Sequence, residues 1–117
     1  MTLSNDNYNE AIKTHSSASG TITIDLQEAN VHRVEAVDNI TFEFVNVSQN
    51  PAGNSLLIYV VDSDGAGPYT FTWPASIIWS DGSVISEVSQ NSNIEVGLLT
   101  DDGGTEWRGR ESGGGFS

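Results

Sequence analysis

The feature that most constrains this chain is a strict alternation of apolar and polar side chains that recurs along it. Between 21 and 26, Ile22, Ile24 and Leu26 alternate with two threonines and an aspartate, and the segments 40–44 and 69–73 repeat the pattern. A period of two residues is that of a β-strand with one buried face. Clusters of Asn, Asp and Gly separate these segments at roughly ten-residue intervals, which favours an antiparallel β-sandwich or barrel over alternating βα units.

Further segments bring the number of predicted strands to about seven to eight. The run 56–61 is apolar on both faces, which indicates a central strand. The run 31–37 is a poorer strand, because Arg33 and Glu35 fall in phase with its valines. The segments 94–98 and 105–108 predict a closing hairpin, since the acidic and glycine residues between them suit a tight turn.

The phase of each strand predicts which side chains form the core. We expect the inward-facing apolar residues of the strands to be mostly buried. They are Ile22, Ile24, Leu26, Phe42, Phe44, Leu57, Tyr59, Val61, Phe71, Trp73, Val96 and Leu98.

The ends of the chain differ from this pattern. Residues 1–18 are polar with isolated apolar side chains and show no sustained period, which predicts an N-terminal arm. Residues 113–117 form a glycine-rich C-terminal tail. A chain of 117 residues has room for one core, so we expect a single all-β domain over 19–112.

Charge and composition exclude several classes of function. The chain has 4 Lys and Arg against 16 Asp and Glu, a formal net charge of −12 that repels phosphate backbones and anionic lipid. We therefore expect neither nucleic acid nor a membrane as a partner. The absence of cysteine excludes disulfides and thiolate metal sites. The start of the chain lacks the basic and then apolar layout of a signal peptide, which predicts a soluble, unprocessed protein.

Two acidic turns invite a metal interpretation. Asp62 and Asp64 precede Gly65, and alternate carboxylates before a glycine can place oxygen ligands around calcium. The segment lacks the glycine and glutamate positions of a helical calcium loop, so a solvated turn is favoured. Asp101 and Asp102 have the same interpretation as the tip of a hairpin. We predict no metal and no cofactor.

Two interpretations of the tryptophans remain open. Trp73, Trp79 and Trp107 lie within strand patterns, which favours core packing; exposed indoles could instead form a platform for sugar rings. Catalysis has little support in the sequence. The two histidines, His15 and His32, lie in the arm and in the poor strand. No feature of the sequence identifies a pair of carboxylates that could perform glycoside hydrolysis. We predict a protein that is not an enzyme.

One long stretch of sequence resembles a known family. The runs Phe71-Thr72-Trp73-Pro74-Ala75-Ser76-Ile77-Ile78-Trp79 and Asp102-Gly103-Gly104-Thr105-Glu106-Trp107 are the most distinctive parts of a match over about residues 20–110. They resemble a small β-domain of the structural proteins of tailed bacteriophages, often found at the carboxy terminus of tail or fibre proteins. The resemblance implies a structural and attachment module, with no catalytic residues to carry over. Here the module makes up nearly the whole chain, without the long fibre-forming segment that usually precedes it.

Two functions follow from the resemblance and from the charge. The first is a capsid decoration, or cement, protein on the outer surface of the virion that joins neighbouring subunits of the major capsid protein. We expect it to be a homo-oligomer, namely a trimer about a threefold axis. An acidic body favours the exterior, away from packaged DNA. The alternative is a small tail or tail-fibre component that contributes to attachment to a host receptor such as a glycan.

The residues expected at subunit contacts lie mainly at the two ends of the chain. The apolar side chains of the arm could add a strand to the open sheet edge of a neighbour. Two arginines, two positions apart on the last predicted strand, lie on one face and can bind carboxylates of another subunit. The subunit-interface candidates are Leu3, Tyr8, Ile12, Arg108, Arg110 and Phe116.

Overall fold

The protein is an all-β domain in a computed structural model that describes residues 11–117. Within that range the regular elements are eight strands and one short 3-10 turn at Ser80–Gly82. The strands are β1 (Ile12–Asp25), β2 (Val31–Val45), β3 (Asn54–Asp62), β4 (Tyr69–Thr72), β5 (Ile77–Trp79), β6 (Glu87–Val88), β7 (Asn93–Thr100) and β8 (Trp107–Gly114). The predicted fold class and strand number are confirmed.

All eight strands belong to one sheet that is curled into a half-barrel. The strand order is β5-β8-β7-β3-β2-β4-β6, and β1 pairs with β2 outside this path. The strand β3 lies between β2 and β7, so the prediction that 56–61 forms a central strand is confirmed. The closing hairpin is also confirmed, because β7 and β8 pair antiparallel around the loop at 101–106.

The sheet is mixed, and in this respect the prediction of an antiparallel fold is wrong. The strand β2 pairs in parallel with β1, β3 and β4, and β5 pairs in parallel with β8. The antiparallel pairs are β3 with β7, β4 with β6, and β7 with β8. Parallel pairing normally requires a crossover of a dozen or more residues, and short turns between strands therefore suggested antiparallel neighbours.

Curvature explains how β1 and β2 run parallel across a short connection. The register places Ile12 beside Val31 and Asp25 beside Val45. A straight strand of 14 residues would be about 45 Å long, whereas the connection 26–30 can span only about 20 Å. The two strands must therefore bend until their ends approach each other. In β1 the bend coincides with shifts of register around Ala18, next to the left-handed residues Ser17 (φ 50°) and Gly20 (φ 68°).

The concave side of the sheet holds the core. Predicted core residues that are buried are Ile24, Leu26, Phe42, Phe71, Val96 and Leu98, and those that are partly buried are Ile22, Phe44 and Trp73. In β3 the assigned phase is wrong. Leu56, Ile58 and Val60 are buried, whereas Leu57, Tyr59 and Val61 are only half-buried on the outer face. A strand that is apolar on both faces carries no signal for which face turns inward.

The strand predicted to be poor is well integrated into the sheet. The first half of β2 turns His32, Val34 and Ala36 into the core, and each of the three is fully buried. Arg33 and Glu35 occupy the outer face, where the Arg33 Nε lies 2.9 Å from the Glu35 carboxylate. The charged residues that argued against a strand therefore pair with each other on the side that faces solvent.

The tryptophans lie in the core, which confirms the packing interpretation. Trp107 is 2% exposed and Trp79 is 9% exposed. Trp73 stacks on Phe42 at a ring distance of 4.3 Å and donates its indole N–H to the carbonyl of Ile85. The residues that carry the family resemblance thus build the corner between β4 and β5 and the start of β8.

Two segments near the ends of the described range, 12–18 and 113–116, are bound to the sheet more closely than the pattern predicted. Residues 12–18 belong to β1, and Ala18 is buried, so the boundary at 18 between arm and domain is wrong by about six residues. At the other end β8 extends to Gly114, and Asn93 exchanges two hydrogen bonds of 2.8 Å with the backbone of Phe116. The glycine-rich tail is therefore bound to the body of its own chain.

Candidate assembly surface

The predicted interface residues that the structure describes fall in three places. Leu3 and Tyr8 lie outside the residues that the structure describes. Ile12, at the start of β1, is 63% exposed. Arg108 and Arg110 are both exposed on the outer face of β8, on one face as their spacing predicted. Phe116 is 53% exposed and lies over Gly113.

The strand β1 has one free edge along its described length. Its only strand pairing is with β2, which β1 follows from Ile12 to Asp25. The other edge of these 14 residues presents backbone N–H and C=O groups that no strand within 11–117 pairs. Such an edge is a template for the addition of a strand from another chain. Its side chains are mostly small and polar, without the prolines or dense charges that commonly block edge pairing.

A groove crosses the outer face of the sheet at some distance from this edge. Two neighbouring cavities, of about 330 and 250 Å³, share Leu99 and Arg110 in their walls. We call this surface the outer groove; it is formed by Leu57, Ile78, Gly97, Leu99, Arg108 and Arg110.

The sheet register explains why these residues meet. Leu99, Arg108 and Ile78 are cross-strand neighbours on β7, β8 and β5. In the next row Gly97 lies between Leu57 and Arg110. Because Gly97 has no side chain, the hydroxyl of Ser112 and the guanidinium of Arg110 lie close over this point of the sheet. Ile78 is 55% exposed and Leu99 is 42% exposed, so the groove has an open apolar surface.

In the described part of the chain, the two arginines at the groove are less fully paired with carboxylates than the other two cations of the chain. Lys13 and Arg33 each have a carboxylate partner, at 3.4 and 2.9 Å. Arg108 has a longer and weaker contact, since its guanidinium lies 3.5 Å from the Asp101 carboxylate and both side chains are at least half exposed. Arg110 forms no ion pair within residues 11–117. Two of the four cations of the chain therefore border one apolar groove, with little of their charge neutralised by the fold.

The sequence contains a weak signal for this groove. Ile78 and Leu99 are apolar residues on the polar phase of their strands, next to Ile77 and Leu98 on the buried phase. Single exposed apolar residues are common and carry little information. Only the pairing of β7 with β8 and of β8 with β5 shows that these two lie on either side of Arg108.

The two histidines form a pair that holds β1 to β2. His15 Nε2 lies 3.0 Å from His32 Nδ1, and His32 Nε2 lies 2.9 Å from the carbonyl oxygen of Ala29. A carbonyl only accepts, so His32 carries its proton on Nε2, and its Nδ1 accepts from His15. Burial, followed by the influence of His32 and Lys13, holds the pKa of His15 below its ordinary value. No feature of the sequence pattern predicted that these histidines lie together.

Asp62 joins two loops through its carboxylate. Its oxygens accept backbone N–H groups from Gly65 and Gly67, at 3.1 Å each, and from Asn91 at 2.8 Å. Burial opposes the ionised form, but the hydrogen bonds from Asn91 and Gly67 outweigh it and lower the pKa of Asp62. Asp64 accepts the hydroxyl of Tyr69 at 2.7 Å. The arrangement supports the interpretation of a turn, and residues 11–117 contain no cluster of three or more potential metal ligands.

The second acidic turn is built in the same way. Asp102 accepts the hydroxyl of Thr100 at 2.8 Å and the N–H of Glu106 at 3.1 Å. The hydrogen bond from Glu106, followed by that from Thr100, lowers the pKa of Asp102. Gly103 and Gly104 supply the positive φ angles, 71° and 89°, that the hairpin loop requires. Asp102 therefore organises the tip of the hairpin, as the sequence predicted.

Comparison with known proteins adds no relative. No protein-family model, no curated protein and no solved structure matches this chain. None of the described elements is a helix that is long and apolar enough to cross a membrane.

Proposed function

We propose that the protein is a structural subunit of a bacteriophage virion, and specifically a decoration protein on the outer surface of the capsid. In this role it joins neighbouring subunits of the major capsid protein and assembles as a trimer about a local threefold axis. The resemblance of the segments 71–79 and 102–107 to a β-domain of phage structural proteins is the source of this proposal.

The observation that carries the proposal is the free edge of β1. A strand from a neighbouring subunit that pairs with this edge gains main-chain hydrogen bonds over as many as 14 residues with little demand on its sequence. Polar side chains along β1 keep the unassembled protein soluble, while the backbone remains available. A cement protein needs such a contact, because it must bind a repeated lattice through a small domain.

The charge of the chain supports an exterior location. With a net charge of −12, the domain is repelled by packaged DNA, and an interior position would carry an electrostatic cost. The same charge disfavours anionic lipid surfaces.

The packing of the tryptophans weighs against the alternative of glycan attachment. Trp79 and Trp107 are buried, and Trp73 uses its indole N–H within the fold. These indoles are therefore occupied in the core and do not offer an exposed platform to a sugar ring. A role in a tail or fibre then has to depend on other residues.

Fractionation of particles tests the location. Purified phage particles are separated into heads and tails, and the protein is quantified in each fraction by mass spectrometry. We expect it in the head fraction, accessible to an antibody on intact capsids. Recovery from the tail fraction alone would overturn the decoration role, and absence from all particles would overturn the virion role.

A proline scan tests the contact. Single prolines at Thr14, Ser16, Thr21 and Thr23 remove one backbone N–H each. At a position whose N–H faces β2 the variant should melt at a lower temperature, whereas at a position facing the free edge it should melt normally. We expect the second group to lose capsid binding. Full binding by every proline variant that melts normally would contradict the proposed role of the edge.

Deletion of the N-terminal arm must respect the observed start of β1. Removal of residues 1–18 would take away the first half of β1 together with buried Ala18, and would confuse folding with binding. Removal of residues 1–10 leaves every described strand intact. We expect this shorter deletion to preserve the melting temperature and to reduce capsid occupancy.

A further inference from the structure

We propose that the outer groove binds the N-terminal segment, residues 2–10, of a second copy of this chain. The inference rests on the proposed assembly role and adds the site that receives the arm. It concerns a surface separate from the free edge of β1, since the groove lies on the outer face of the sheet, from Val31 at the start of β2 across β3, β7 and β8 to β5.

The shape of the groove suits an extended segment with a few apolar side chains. Its two cavities adjoin at Leu99 and Arg110, and their combined volume of about 580 Å³, from 330 and 250 Å³, is enough for two or three side chains. The exposed faces of Ile78 and Leu99 provide apolar contact on one side. No other part of the chain within 11–117 lies over them.

The charge of the groove selects an acidic occupant. Arg108 and Arg110 project on one face of β8, and within residues 11–117 Arg108 forms an ion pair, at 3.5 Å, whereas Arg110 forms none. Guanidinium groups bind carboxylates through paired N–H donors. The rest of the protein carries a large excess of negative charge, so an acidic segment is repelled elsewhere and attracted here.

The N-terminal segment has the matching chemistry. It contains two large apolar side chains, Leu3 and Tyr8, and two carboxylates, Asp6 and Glu10, with no Lys or Arg. Its carboxylates can meet the two arginines while its apolar residues fill the cavities. A second copy of the chain therefore supplies a ligand whose charge and apolar content both complement the groove.

The position of β1 favours exchange between copies over return of the arm to its own groove. Ile12 lies in the same cross-strand row as Val31, Leu57, Gly97 and Arg110. Four strand spacings of about 4.8 Å separate Ile12 from Arg110 by roughly 19 Å, while the near end of the groove, at Val31, lies one spacing from Ile12. To lie along the groove of its own chain, the arm would have to leave the direction of β1 by about a right angle close to Ile12, because the groove runs across the strands. A second copy can approach freely, and mutual exchange gives both copies the same contact.

Site-directed crosslinking tests the contact, because the chain has no cysteine of its own. One full-length variant carries Asn7→Cys in the arm, and another carries Ser80→Cys at the rim of the groove. The two are mixed and treated with a short bismaleimide. The matched control is Ser63→Cys, an exposed residue just beyond the opposite end of β3. We expect a covalent dimer from Asn7→Cys with Ser80→Cys, at about tenfold higher yield than with Ser63→Cys.

The crosslinking result can overturn the proposal in two ways. Equal yields with Ser80→Cys and Ser63→Cys, or no dimer with either, would show that the arm does not occupy the groove. The double variant Asn7→Cys, Ser80→Cys distinguishes the source of the arm. If dilute double variant forms only a monomer with an internal link, while the mixed single variants give no dimer, the arm binds its own chain and the second-copy proposal is wrong.

Charge reversal tests the chemistry of the contact. Placing Arg108→Glu and Arg110→Glu in the Ser80→Cys variant should lower the dimer yield about tenfold, as expected for the loss of two exposed ion pairs. Adding Asp6→Lys and Glu10→Lys to the Asn7→Cys partner should restore it. When only the arginines are reversed, raising the salt concentration should restore part of the dimer yield, since screening weakens like-charge repulsion. If the yield is not restored when the charges of both partners are reversed, the proposed pairing of these charges is wrong.

The outcome of crosslinking is independent of particle location. A protein found on capsids that forms no crosslink at Ser80→Cys would retain the decoration role and lose the groove contact. A protein absent from particles that still forms the crosslink would retain the groove contact and lose the virion role.

Discussion

The first and last strands of the domain, β1 and β8, show how differently two terminal strands can be held. β8 lies between β7 and β5, and its end is bound by the hydrogen bonds between Asn93 and Phe116. β1 is longer, at 14 residues against 8, but pairs with β2 alone. β8 begins with the fully buried Trp107, whereas β1 begins with the exposed Ile12.

The difference shows that the number of partners, and not length, determines how completely the backbone of a terminal strand is paired, although both strands contribute buried side chains, Ile24 in β1 and Trp107 in β8. A strand with neighbours on both sides has its backbone polar groups paired and a side chain such as Trp107 enclosed. A strand with one neighbour keeps half of its backbone groups available. β8 is thus suited to stability and β1 to assembly, although both lie at an end of the sequence.

The largest expected effect is the loss of the buried indole in β8. Trp107→Ala should destabilise the domain by about 3–5 kcal/mol, because it leaves a cavity against Phe44 in a side-chain position that is 2% exposed. The matched change in β1, Ile12→Ala, should cost less than about 0.5 kcal/mol. Chemical denaturation of both variants measures the contrast. Similar losses for the two variants would show that the starts of the strands are equally enclosed.

Glycine substitutions sharpen the comparison at the backbone. A Cβ at Gly109 in β8 would lie 2.9 Å from the ring of Trp79 and 3.0 Å from Ile77, so Gly109→Ala should cost about 1–3 kcal/mol through overpacking. In β1, Gly20→Ala meets no atom within 4 Å and should be strained only by its φ of 68°, at a cost of about 1 kcal/mol.

Gly53 provides the control for the two substitutions. A Cβ at Gly53 meets nothing within 4 Å, and its φ is not in the left-handed region, so Gly53→Ala should leave the melting temperature nearly unchanged. If Gly109→Ala and Gly53→Ala have the same melting temperature, the close packing of β8 on β5 does not limit stability.

The fold was predictable where the sequence alternates, and the exceptions have physical causes. The segments around Ile24, Phe42 and Val96 have one apolar face, and their buried phase was assigned correctly. In β3 both faces are apolar, so the local pattern could not separate Leu56, Ile58 and Val60 from their neighbours. Parallel pairing of β1 with β2 depends on curvature of the whole sheet, which no short window of sequence encodes.

The candidate site was predictable only in its charged part. The spacing of Arg108 and Arg110 placed both on one face of β8, as observed. Their apolar neighbours Ile78 and Leu99 come from other strands, and the register of three strands is needed to bring them together. The start of β1 was missed because residues 12–18 do not alternate and are held by β2 and by the histidine pair rather than by an apolar face.

The histidine pair predicts that β1 loosens in acid before β8 does. Because burial, His32 and Lys13 lower the pKa of His15 in the folded protein, with Glu28 opposing them, protonation favours the open state. The contribution to stability is complete above the ordinary pKa of about 6.5 and is lost as the pH falls below it.

Hydrogen exchange at pH 7.5 and pH 5, corrected for intrinsic rates, measures this effect. Amides of Ile12–Ser16 that pair with β2 should exchange faster at the lower pH, while those of β8 should be unchanged. The variant His15→Gln cannot titrate at this position and serves as the control. An equal acid response in His15→Gln would assign the effect to other groups.

The smallest expected effect concerns the exposed arginine of β8 in the isolated domain. Arg108 approaches Asp101 at 3.5 Å, and the side chains are 50% and 73% exposed. An ion pair of this kind contributes less than about 1 kcal/mol, so Arg108→Gln should shift the free energy of unfolding by a few tenths of a kcal/mol at most. The matched variant Arg33→Gln also breaks one ion pair, but it removes the cation that lies 5.2 Å above the ring of Tyr59, and should cost somewhat more. Chemical denaturation at low and high salt compares the two. If Arg108→Gln costs more than Arg33→Gln, then Arg108 stabilises its own fold, and the contrast between a strand for stability and a surface for assembly does not hold on the outer face of β8.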